Sequence, residues 1–427
     1  MKILGKALIC LLVATLVLVS TQGILAYPLD GYKDTGIRRV EGARLANEGL
    51  AIGGFQPPGA MLTTGQVDLR LLSHQMSLPP QNPDFTNGVT ALLGEYAGSY
   101  GVTVLDLTDP DNPQYAEHRG NHRQNVGSVG KLLAALGYFQ ALADTWPDDL
   151  DRRKAVLRDT IMTADDFAHS DHHTVRLFNV ETRKLTRRPI ADDDQASVWE
   201  YLDWMLSVSS NSAAAMVMRD AMLLRHFGQQ YPVSEQAIKD FFENTPGGQL
   251  TSLFQQTFWE PLTRNGLSLD EIRQGSFFTR QGKKNVNGGG NSYATARSLM
   301  SFLLKMEQGV LVDEWSSRQL KRLLYMTERR IRYASSPELK EAAVYFKSGS
   351  WYKCKAEEGF KCGAYRGNVF NYMNSVAIVE QEIDGVKLHY MVIVVSNVLR
   401  KNSAVEHQTL GTNIHRLIKQ NHSIASP

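Results

Sequence analysis

The chain has 427 residues, of which 43% are apolar and 21% are charged, so it can bury a large core. This composition excludes a disordered or low-complexity chain, and the length is enough for two domains. Lys and Arg total 46 against 44 Asp and Glu, which leaves a net charge of +2 with no basic block. The charge balance therefore gives no support for a nucleic-acid or membrane-surface partner.

The first segment predicts export. Lys2 and Lys6 precede an apolar run over residues 7–19, and small and polar residues follow at 20–23. A run of this length is too short to span a bilayer comfortably, and the order of regions is typical of a secretory signal. We expect residues 1–26 to be a cleaved signal peptide, with no stable membrane span left afterwards. The mature protein would be periplasmic or secreted; an uncleaved anchor is the alternative.

The cysteines are too few for a disulfide scaffold and lack the spacing of a zinc site. Cys10 lies within the predicted signal peptide, which leaves Cys354 and Cys362 in the mature chain. These two flank a polar, glycine-containing segment that suits a hairpin closed by a disulfide in an oxidising compartment. Two free thiols are the alternative interpretation.

The periodicity of apolar residues divides the chain into three parts. Residues 27–94 are rich in Gly, Pro and polar residues and predict an irregular N-terminal extension with one short helix. Alternating apolar residues predict a strand over 100–107 and a returning strand over 114–118. From Val129 the spacing becomes helical and remains so to about residue 330. The predicted helices of this part include 198–206, 213–227, 234–242 and 294–306. Strands then return at 344–352, 368–379 and 386–398, and a polar helix closes the chain at 404–419.

Strands near both ends of the chain, with helices between them, predict one sheet assembled from both ends. We expect an α/β sheet domain made of residues 95–125 and 336–427. Residues 126–335 would form a helical domain inserted into it.

A glycine-rich turn at residues 125–131 leads directly into the first apolar helix. Ser128 would lie in the first helical turn, where free N–H groups and the helix dipole favour developing negative charge. Lys131 follows on the same face, and burial among leucines would lower its pKa enough for it to accept the serine proton. A Ser-x-x-Lys pair alone is weak evidence, since an N-capping serine followed by a surface lysine has the same spacing.

Two further polar segments add weight to this pair. Ser209-Ser210-Asn211 forms a short turn between two helices and can direct a hydroxyl and an amide into a cleft. Lys347-Ser348-Gly349 lies on a predicted strand, where the glycine allows a ligand to approach and the next N–H can face an oxyanion. Seen singly, these segments are also consistent with a helix break and an edge-strand lysine.

In this order the three segments resemble the active-site serine penicillin-recognising enzymes, which include the class A β-lactamases and the D,D-peptidases. That family carries S-x-x-K, then S-x-N, then K-[ST]-G. The resemblance covers roughly residues 95–420. It implies an α/β (α+β) fold with a mostly antiparallel five-stranded sheet flanked by helices, plus an inserted all-helical domain.

The resemblance also implies roles for individual residues. Ser128 would be the acylated nucleophile, Lys131 its proton acceptor, and Ser209 a proton relay to the leaving nitrogen. Asn211 would hold the amide side chain of the substrate, and Lys347 and Ser348 would lie near the substrate carboxylate. The oxyanion hole would consist of the N–H groups of Ser128 and Ser350. It would lie beside Gly349, where a ligand can come close to the strand.

The sequence departs from the class A pattern at the residue that releases the acyl group. The stretch 275–291, where an omega-loop glutamate is expected, contains no carboxylate. Glu260 stands in a Trp-Glu-Pro triplet but comes too early, and an amphipathic-helix glutamate is the simpler interpretation. The aspartate between Ser209 and Asn211 is also missing. A slow penicillin-binding protein or a D,D-carboxypeptidase is therefore as consistent with the sequence as a β-lactamase.

Rival functions remain open at this stage. His169, Asp171, His172 and His173 could bind a metal, although a solvated loop is the simpler interpretation. A binding module without turnover would keep the cleft, and a serine-dependent glutaminase fits the export signal less well. Arg366 could contact a substrate carboxylate or simply lie on the surface. We expect a monomer that uses no cofactor and no metal and acts on a small-molecule or peptidoglycan-derived substrate.

Overall fold

The computed structural model describes residues 30–51, 57–328 and 330–424. The predicted signal peptide at 1–26, with Cys10, lies outside the described residues. Among the described residues, no helix combines the length and the apolar character that crossing a membrane requires.

The described residues contain both strands and helices. The strands are β1 (Tyr100–Asp106), β2 (Gln114–His118), β3 (Ile161–Thr163), β4 (Val175–Asn179), β5 (Lys184–Arg188), β6 (Gln195–Ser197), β7 (Ile272–Arg273), β8 (Tyr293–Ala294), β9 (Ala343–Lys353), β10 (Phe370–Ile383) and β11 (Val386–Asn397). The α-helices are α1 (Tyr32–Thr35), α2 (Arg38–Asn47), α3 (Pro83–Ala91), α4 (Lys131–Thr145), α5 (Leu150–Asp159), α6 (Val198–Ser207), α7 (Asn211–Phe227), α8 (Glu235–Asn244), α9 (Gly247–Phe258), α10 (Glu260–Arg264), α11 (Arg280–Asn285), α12 (Ala296–Glu307), α13 (Glu314–Tyr325) and α14 (Ser403–Asn421).

The main sheet has five strands in the order β2-β1-β11-β10-β9, and every neighbouring pair is antiparallel. Strands from both ends of the chain therefore meet in one sheet, and the predicted fold class is confirmed. The three interior strands, β1, β11 and β10, consist largely of buried residues, because helices cover both faces.

Neighbouring side chains along these strands point to opposite faces of the sheet and pack into two separate cores. Val376 and Ile378 face the core shared with the helical part, whereas Ala377 and Val379 face the core under α14. The period of two residues in a strand is the reason that neighbours in sequence enter different cores. The sheet thus stands between the helical part on one side and α14 with α3 on the other.

The inserted part differs in one respect from an all-helical domain. It carries three two-stranded sheets, β3 with β6, β4 with β5, and β7 with β8. These strands have only two to five residues, and the β5 strand is almost wholly exposed. Strands this short leave little apolar alternation in the sequence, which explains why the pattern did not indicate them.

The N-terminal segment contains more helix than the single short helix expected for residues 27–94. Helices α1 and α2 lie at its start and α3 at its end. Helix α2 packs on the inserted part, and α3 contributes Phe85 and Val89 to the core under α14. The N-terminal segment has few apolar residues, so its sequence did not predict α2. Ion pairs, rather than a wide apolar face, hold this helix.

Candidate active site

The three polar segments found in the sequence line one cleft of about 800 Å³ between the helical part and the edge strand of the sheet. Ser128 lies in a 3-10 turn, Gly127–Gly130, directly before α4. Ser209 lies in the turn between α6 and α7, and Lys347 lies on β9. The tertiary structure therefore brings together residues that are more than 200 positions apart in the chain.

Lys131 is at the centre of the hydrogen bonds in this cleft. Its Nζ lies 3.0 Å from Ser128 Oγ, 2.5 Å from the Ser209 carbonyl oxygen and 2.8 Å from Asn211 Oδ1. Ser209 Oγ is also within reach, at 3.3 Å. Since the acceptors surround the amine, the lysine side chain is fixed in a position to exchange a proton with Ser128.

The environment of Lys131 disfavours its charged form. The residue is fully buried, and no carboxylate lies within ion-pair distance of it among the described residues. The ring of Phe278 lies 5.0 Å from Nζ. Burial lowers the pKa of the Lys131 amine to about 7, with an opposing electrostatic contribution from Asp171. A large share of the molecules therefore carry a neutral amine near neutral pH.

Ser209 adopts a backbone conformation that few non-glycine residues accept. Its φ is +65°, in the left-handed region. This turn directs the Ser209 carbonyl oxygen to Lys131 and its hydroxyl to Lys347. The next residue, Ser210, caps α7 by accepting a hydrogen bond from Ala213 N at 3.1 Å. The strained residue, Ser209, is thus the one that both Lys131 and Lys347 contact.

Lys347 approaches the same turn from the sheet. Its Nζ donates to Ser209 Oγ at 2.8 Å and to the Ser348 carbonyl oxygen at 2.9 Å. Burial, together with the positive charges of Lys131 and Arg332, holds the pKa of this amine well below its usual value. The Ser209 hydroxyl therefore lies between two amines, an arrangement suited to passing a proton.

Two glycines allow β9 to approach the turn that carries Ser128. A Cβ on Gly349 would lie 2.0 Å from the Val126 carbonyl oxygen and 2.8 Å from Ser128 N. Gly127, at φ +53°, faces β9, and a Cβ there would lie 3.0 Å from Ser350 N. The close approach of β9 to this turn brings the N–H groups of Ser128 and Ser350 together, at the place where the family resemblance implies the oxyanion hole.

Arg332 is a cleft residue that sequence reasoning missed. It lies at φ +53° before β9, is only 8% exposed and lines the cleft. Its Nη2 donates to Ser350 Oγ at 3.2 Å, its guanidinium lies 4.8 Å from the centre of the Tyr365 ring, and its Nε has no partner among the described residues. Arg366, the arginine considered from the sequence, is exposed, in agreement with the surface interpretation. No local motif marks Arg332, because only the fold places it beside β9.

Asp171 is the second residue that sequence reasoning placed in the wrong context. Its carboxylate is buried against the start of α7, where it accepts from Ser210 Oγ, Asn211 N and Ser212 N. One feature of the sequence could have pointed to Asp171. Ser209-Ser210-Asn211 contains no carboxylate, so the N–H groups at the start of α7 have no acidic partner in their own segment.

The histidine-rich segment forms a loop, as expected, and lies at the edge of the cleft. Asp171, His172 and His173 have donor atoms within 4.8 Å of one another, which is close enough for a shared metal ion. Both Asp171 oxygens, however, already accept hydrogen bonds from protein groups. His169 lies apart and pairs with Asp192 at 2.7 Å. The geometry therefore gives Asp171 a structural partner rather than leaving it open to a metal.

The cleft offers little carboxylate that could activate water. Among the described residues that line it, Glu328 is the only Asp or Glu, and it is paired with Arg176 at 2.6 Å and Arg187 at 2.5 Å. Glu260 is half exposed on α10, does not line the cleft, and lies near Arg225 and Arg264. This agrees with its interpretation as an amphipathic-helix glutamate.

A disulfide joins Cys354 and Cys362 in the connection between β9 and β10. The expected pairing is therefore confirmed. The bond closes a loop beside Tyr352, Ala364 and Tyr365, which belong to the outer wall of the cleft.

Comparison with known proteins gives a family. A family model described as "Beta-lactamase enzyme family" matches residues 84–361, which is more than half of the chain. No curated protein matches the chain in sequence.

Similar solved structures have low sequence identity. The structure of PBP-A is 13% identical with a TM-score of 0.48, covering 81% of this chain and 100% of that one. A beta-lactamase from Sphaerobacter thermophilus is 12% identical with a TM-score of 0.49, covering 80% and 99%. The TLA-3 extended-spectrum beta-lactamase is 14% identical with a TM-score of 0.47, covering 79% and 99%. Identities this low do not transfer an activity from one protein to another.

Proposed function

Because the chain belongs to the beta-lactamase enzyme family, we propose that it is an exported serine hydrolase that forms an acyl-enzyme on Ser128. The substrate would be a β-lactam or a D-alanyl peptide, and the bond opened would be its amide. One observation carries the proposal: a buried lysine amine, with a pKa of about 7, lies 3.0 Å from the Ser128 hydroxyl.

This geometry supports the following acylation step. Neutral Lys131 takes the Ser128 proton while Oγ forms a bond to the carbonyl carbon. The N–H groups of Ser128 and Ser350 stabilise the oxyanion that develops. The carbon–nitrogen bond then breaks, and the Ser209 hydroxyl gives a proton to the leaving nitrogen and regains one from a neighbouring lysine.

The charge of the cleft supports an anionic substrate. Lys347 and Arg332 are buried on the sheet side, and neither has a carboxylate within ion-pair distance among the described residues. A substrate carboxylate beside Ser348 and Ser350 would supply the missing counter-charge and would raise the pKa of Lys347. Penicillins and peptides that end in D-alanine both carry such a carboxylate.

The second half of the reaction would be slow. Hydrolysis of the ester needs a base for water, and the only cleft carboxylate among the described residues, Glu328, is held by two arginines. A long-lived acyl-enzyme therefore fits the site better than rapid β-lactam hydrolysis. A penicillin-binding activity, or a D,D-carboxypeptidase-type activity with slow release of the acyl group, fits the same geometry.

Intact-mass spectrometry after mixing with penicillin G tests the proposal. We expect a mass increase equal to one penicillin that persists for minutes or longer and maps to the peptide containing Ser128. Ser128→Ala should show no adduct, whereas Ser73→Ala, which removes an exposed serine outside the cleft, should be acylated like the unaltered protein.

The same measurement separates the alternatives. No adduct on the unaltered protein, with either penicillin G or a D-alanyl-D-alanine thioester, would contradict the proposal and favour a non-covalent binding module. Rapid loss of the adduct would contradict slow release. Loss of acylation on treatment with a chelator, restored by zinc, would favour the metal alternative at the histidine-rich loop.

A further inference from the structure

The turn that carries Ser209 and Asn211 is held by a carboxylate from a distant part of the chain. Asp171 lies 40 positions before Asn211, and its side chain is only 1% exposed. Its Oδ2 accepts from Asn211 N at 2.6 Å, Ser212 N at 3.0 Å and Ser210 Oγ at 3.0 Å. Three consecutive residues of the turn and helix are thus fixed by one oxygen.

These donors are groups that α7 cannot satisfy by itself. The first N–H groups of a helix have no partner within it, and the positive end of the helix dipole lies at the same place. A carboxylate accepts hydrogen bonds from these N–H groups, and its negative charge is stabilised by the helix dipole. Because Asn211 is the first residue of α7 and its Oδ1 accepts from Lys131, fixing the Asn211 N–H also fixes the amide that contacts the amine.

The other oxygen of Asp171 is bound by His173, a residue that lines the cleft. Oδ1 accepts from His173 Nδ1 at 2.6 Å and from His173 N at 3.2 Å. Burial alone would raise the pKa of Asp171, but the hydrogen bonds and charge from His173, with the Ser212 N–H, hold it well below its ordinary value. Asp171 is therefore negatively charged across the working pH range.

Several other basic side chains line the same cleft. Lys347 and Arg332 lie on its sheet side, and His172 and His173 lie on the loop that carries Asp171. Asp171 is the anion whose field acts on Lys131 and opposes the effect of burial. Glu328 also lines the cleft but is neutralised by Arg176 and Arg187.

We propose that Asp171 is a positioning residue of this site, which holds the Ser209–Asn211 turn against the Lys131 amine and supplies the negative charge that the turn itself lacks. The inference rests on the proposed function only in taking Lys131 as the proton acceptor. Asp171 makes no hydrogen bond to Ser128 or Lys347 among the described residues. It acts through its hydrogen bonds to Ser210, Asn211 and Ser212 and through its field on Lys131.

A titration of Lys131 tests the charge without any substrate. The protein is labelled with ¹³Cε-lysine, and the Lys131 signal is assigned with Lys131→Arg. Asp171→Asn keeps an acceptor for the N–H groups of α7 but removes the charge, so we expect the Lys131 midpoint to fall by about half a pH unit or more. Asp171→Glu keeps the charge and should remain near the unaltered midpoint. Should the Asn variant fail to fold, Asp171→Ser, which also retains an acceptor, carries the same test.

Acylation by penicillin G provides the second readout. Near pH 9, where Lys131 is neutral in every variant, Asp171→Asn should be acylated about tenfold more slowly or worse because the turn is less well fixed. Asp149→Asn is the matched control, since Asp149 caps α5 by accepting a hydrogen bond from Arg152 N at 2.8 Å and lies outside the cleft. That variant should change neither measurement.

An unchanged Lys131 midpoint together with an unchanged acylation rate in Asp171→Asn would overturn the inference. A slower rate with an unmoved midpoint would also overturn it, because a purely structural cap would give that result. If the midpoint falls while no form of the protein is ever acylated, the proposed function fails and the role of Asp171 in setting the amine stands.

Discussion

Three basic side chains, Lys131 from the helical part and Lys347 and Arg332 from the sheet side, are buried at the cleft with no ion-paired carboxylate among the described residues. Burial of a charge is costly unless an opposite charge accompanies it, so each of these groups has a lowered pKa. A neutral amine can accept a proton from Ser128, and an anionic ligand can restore charge to the others. At the scale of single residues, the cleft is therefore suited both to proton transfer and to binding an anion.

The first residue-level prediction concerns pH. Because the pKa of Lys131 is about 7, acylation by penicillin G should fall as pH decreases through about 7, where the amine becomes protonated. Lys131→Ala should lower acylation by about 10²- to 10⁴-fold, the usual contribution of a positioned base. Rates are measured by stopped-flow or timed mass spectrometry across the pH range. Lys284→Ala, at an exposed lysine, is the control, and a rate that does not vary with pH would contradict Lys131 as the base.

The second concerns the arginine that the sequence did not reveal. Arg332→Gln should reduce the second-order acylation constant for penicillin G by about tenfold to a hundredfold, because a hydrogen bond to a charged group contributes about 1.5–3 kcal/mol. The penicillin methyl ester, which lacks the carboxylate, should react equally with both proteins. Arg366→Gln is the matched control at an exposed arginine. Equal losses for acid and ester would show that Arg332 has only a structural role.

At the scale of elements, helix α2 is joined to helix α6 by two arginine–carboxylate pairs. Arg38 contacts Glu200 at 2.8 Å, and Arg39 forms a fork with the fully buried Asp203. Arg39 also donates to the Met326 carbonyl oxygen at 2.8 Å. Since α6 ends at Ser207, directly before the Ser209 turn, α2 supports one wall of the cleft from behind.

This arrangement predicts a large loss of stability from one substitution. Arg39→Ala leaves the Asp203 carboxylate buried without its guanidinium, so the free energy of unfolding should fall by about 3–5 kcal/mol. Arg44→Ala is the control on the same helix, where pairs with Glu41 and Glu48 lie near the surface and should contribute about 1 kcal/mol or less. Urea unfolding measures both. The double variant Arg39→Met with Asp203→Leu should recover most of the loss, and failure of Arg39→Ala to destabilise would refute the role of this pair.

At the scale of the whole molecule, the cleft lies between the helical part and the edge strand of the sheet. One side comes from the turn before α4, the end of α6 and the start of α7, and the other side comes from β9 at the edge of the sheet. Cationic residues from several segments converge there, including Arg187 and Lys283 beside those already described. Although the net charge of the chain is only +2, the field in the cleft is positive because the fold collects these residues on one surface.

This concentration of charge predicts a salt effect. The second-order constant for acylation by anionic penicillin G should fall several-fold between about 20 mM and about 500 mM salt, as the Debye length shortens from roughly 20 Å to roughly 4 Å. The neutral methyl ester provides the control and should be much less sensitive. Equal salt dependence for both ligands would show that the field of the cleft does not steer the substrate.

The sequence by itself determined the period-two strands at both ends of the chain and the apolar helix after Ser128, because these elements are set by local alternation of apolar residues. It also determined that Ser128 and Lys131 share one face, since three positions separate neighbours on a helical turn. Only the tertiary structure decided that Arg332 lines the cleft and that Asp171 lies beside it, and that Glu260 lies elsewhere. Their placement depends on contacts between segments that lie far apart in the chain, and no local period or motif encodes such contacts. The sequence did not predict α2 for the same reason, because its ion pairs with α6 join two segments that are far apart in the chain.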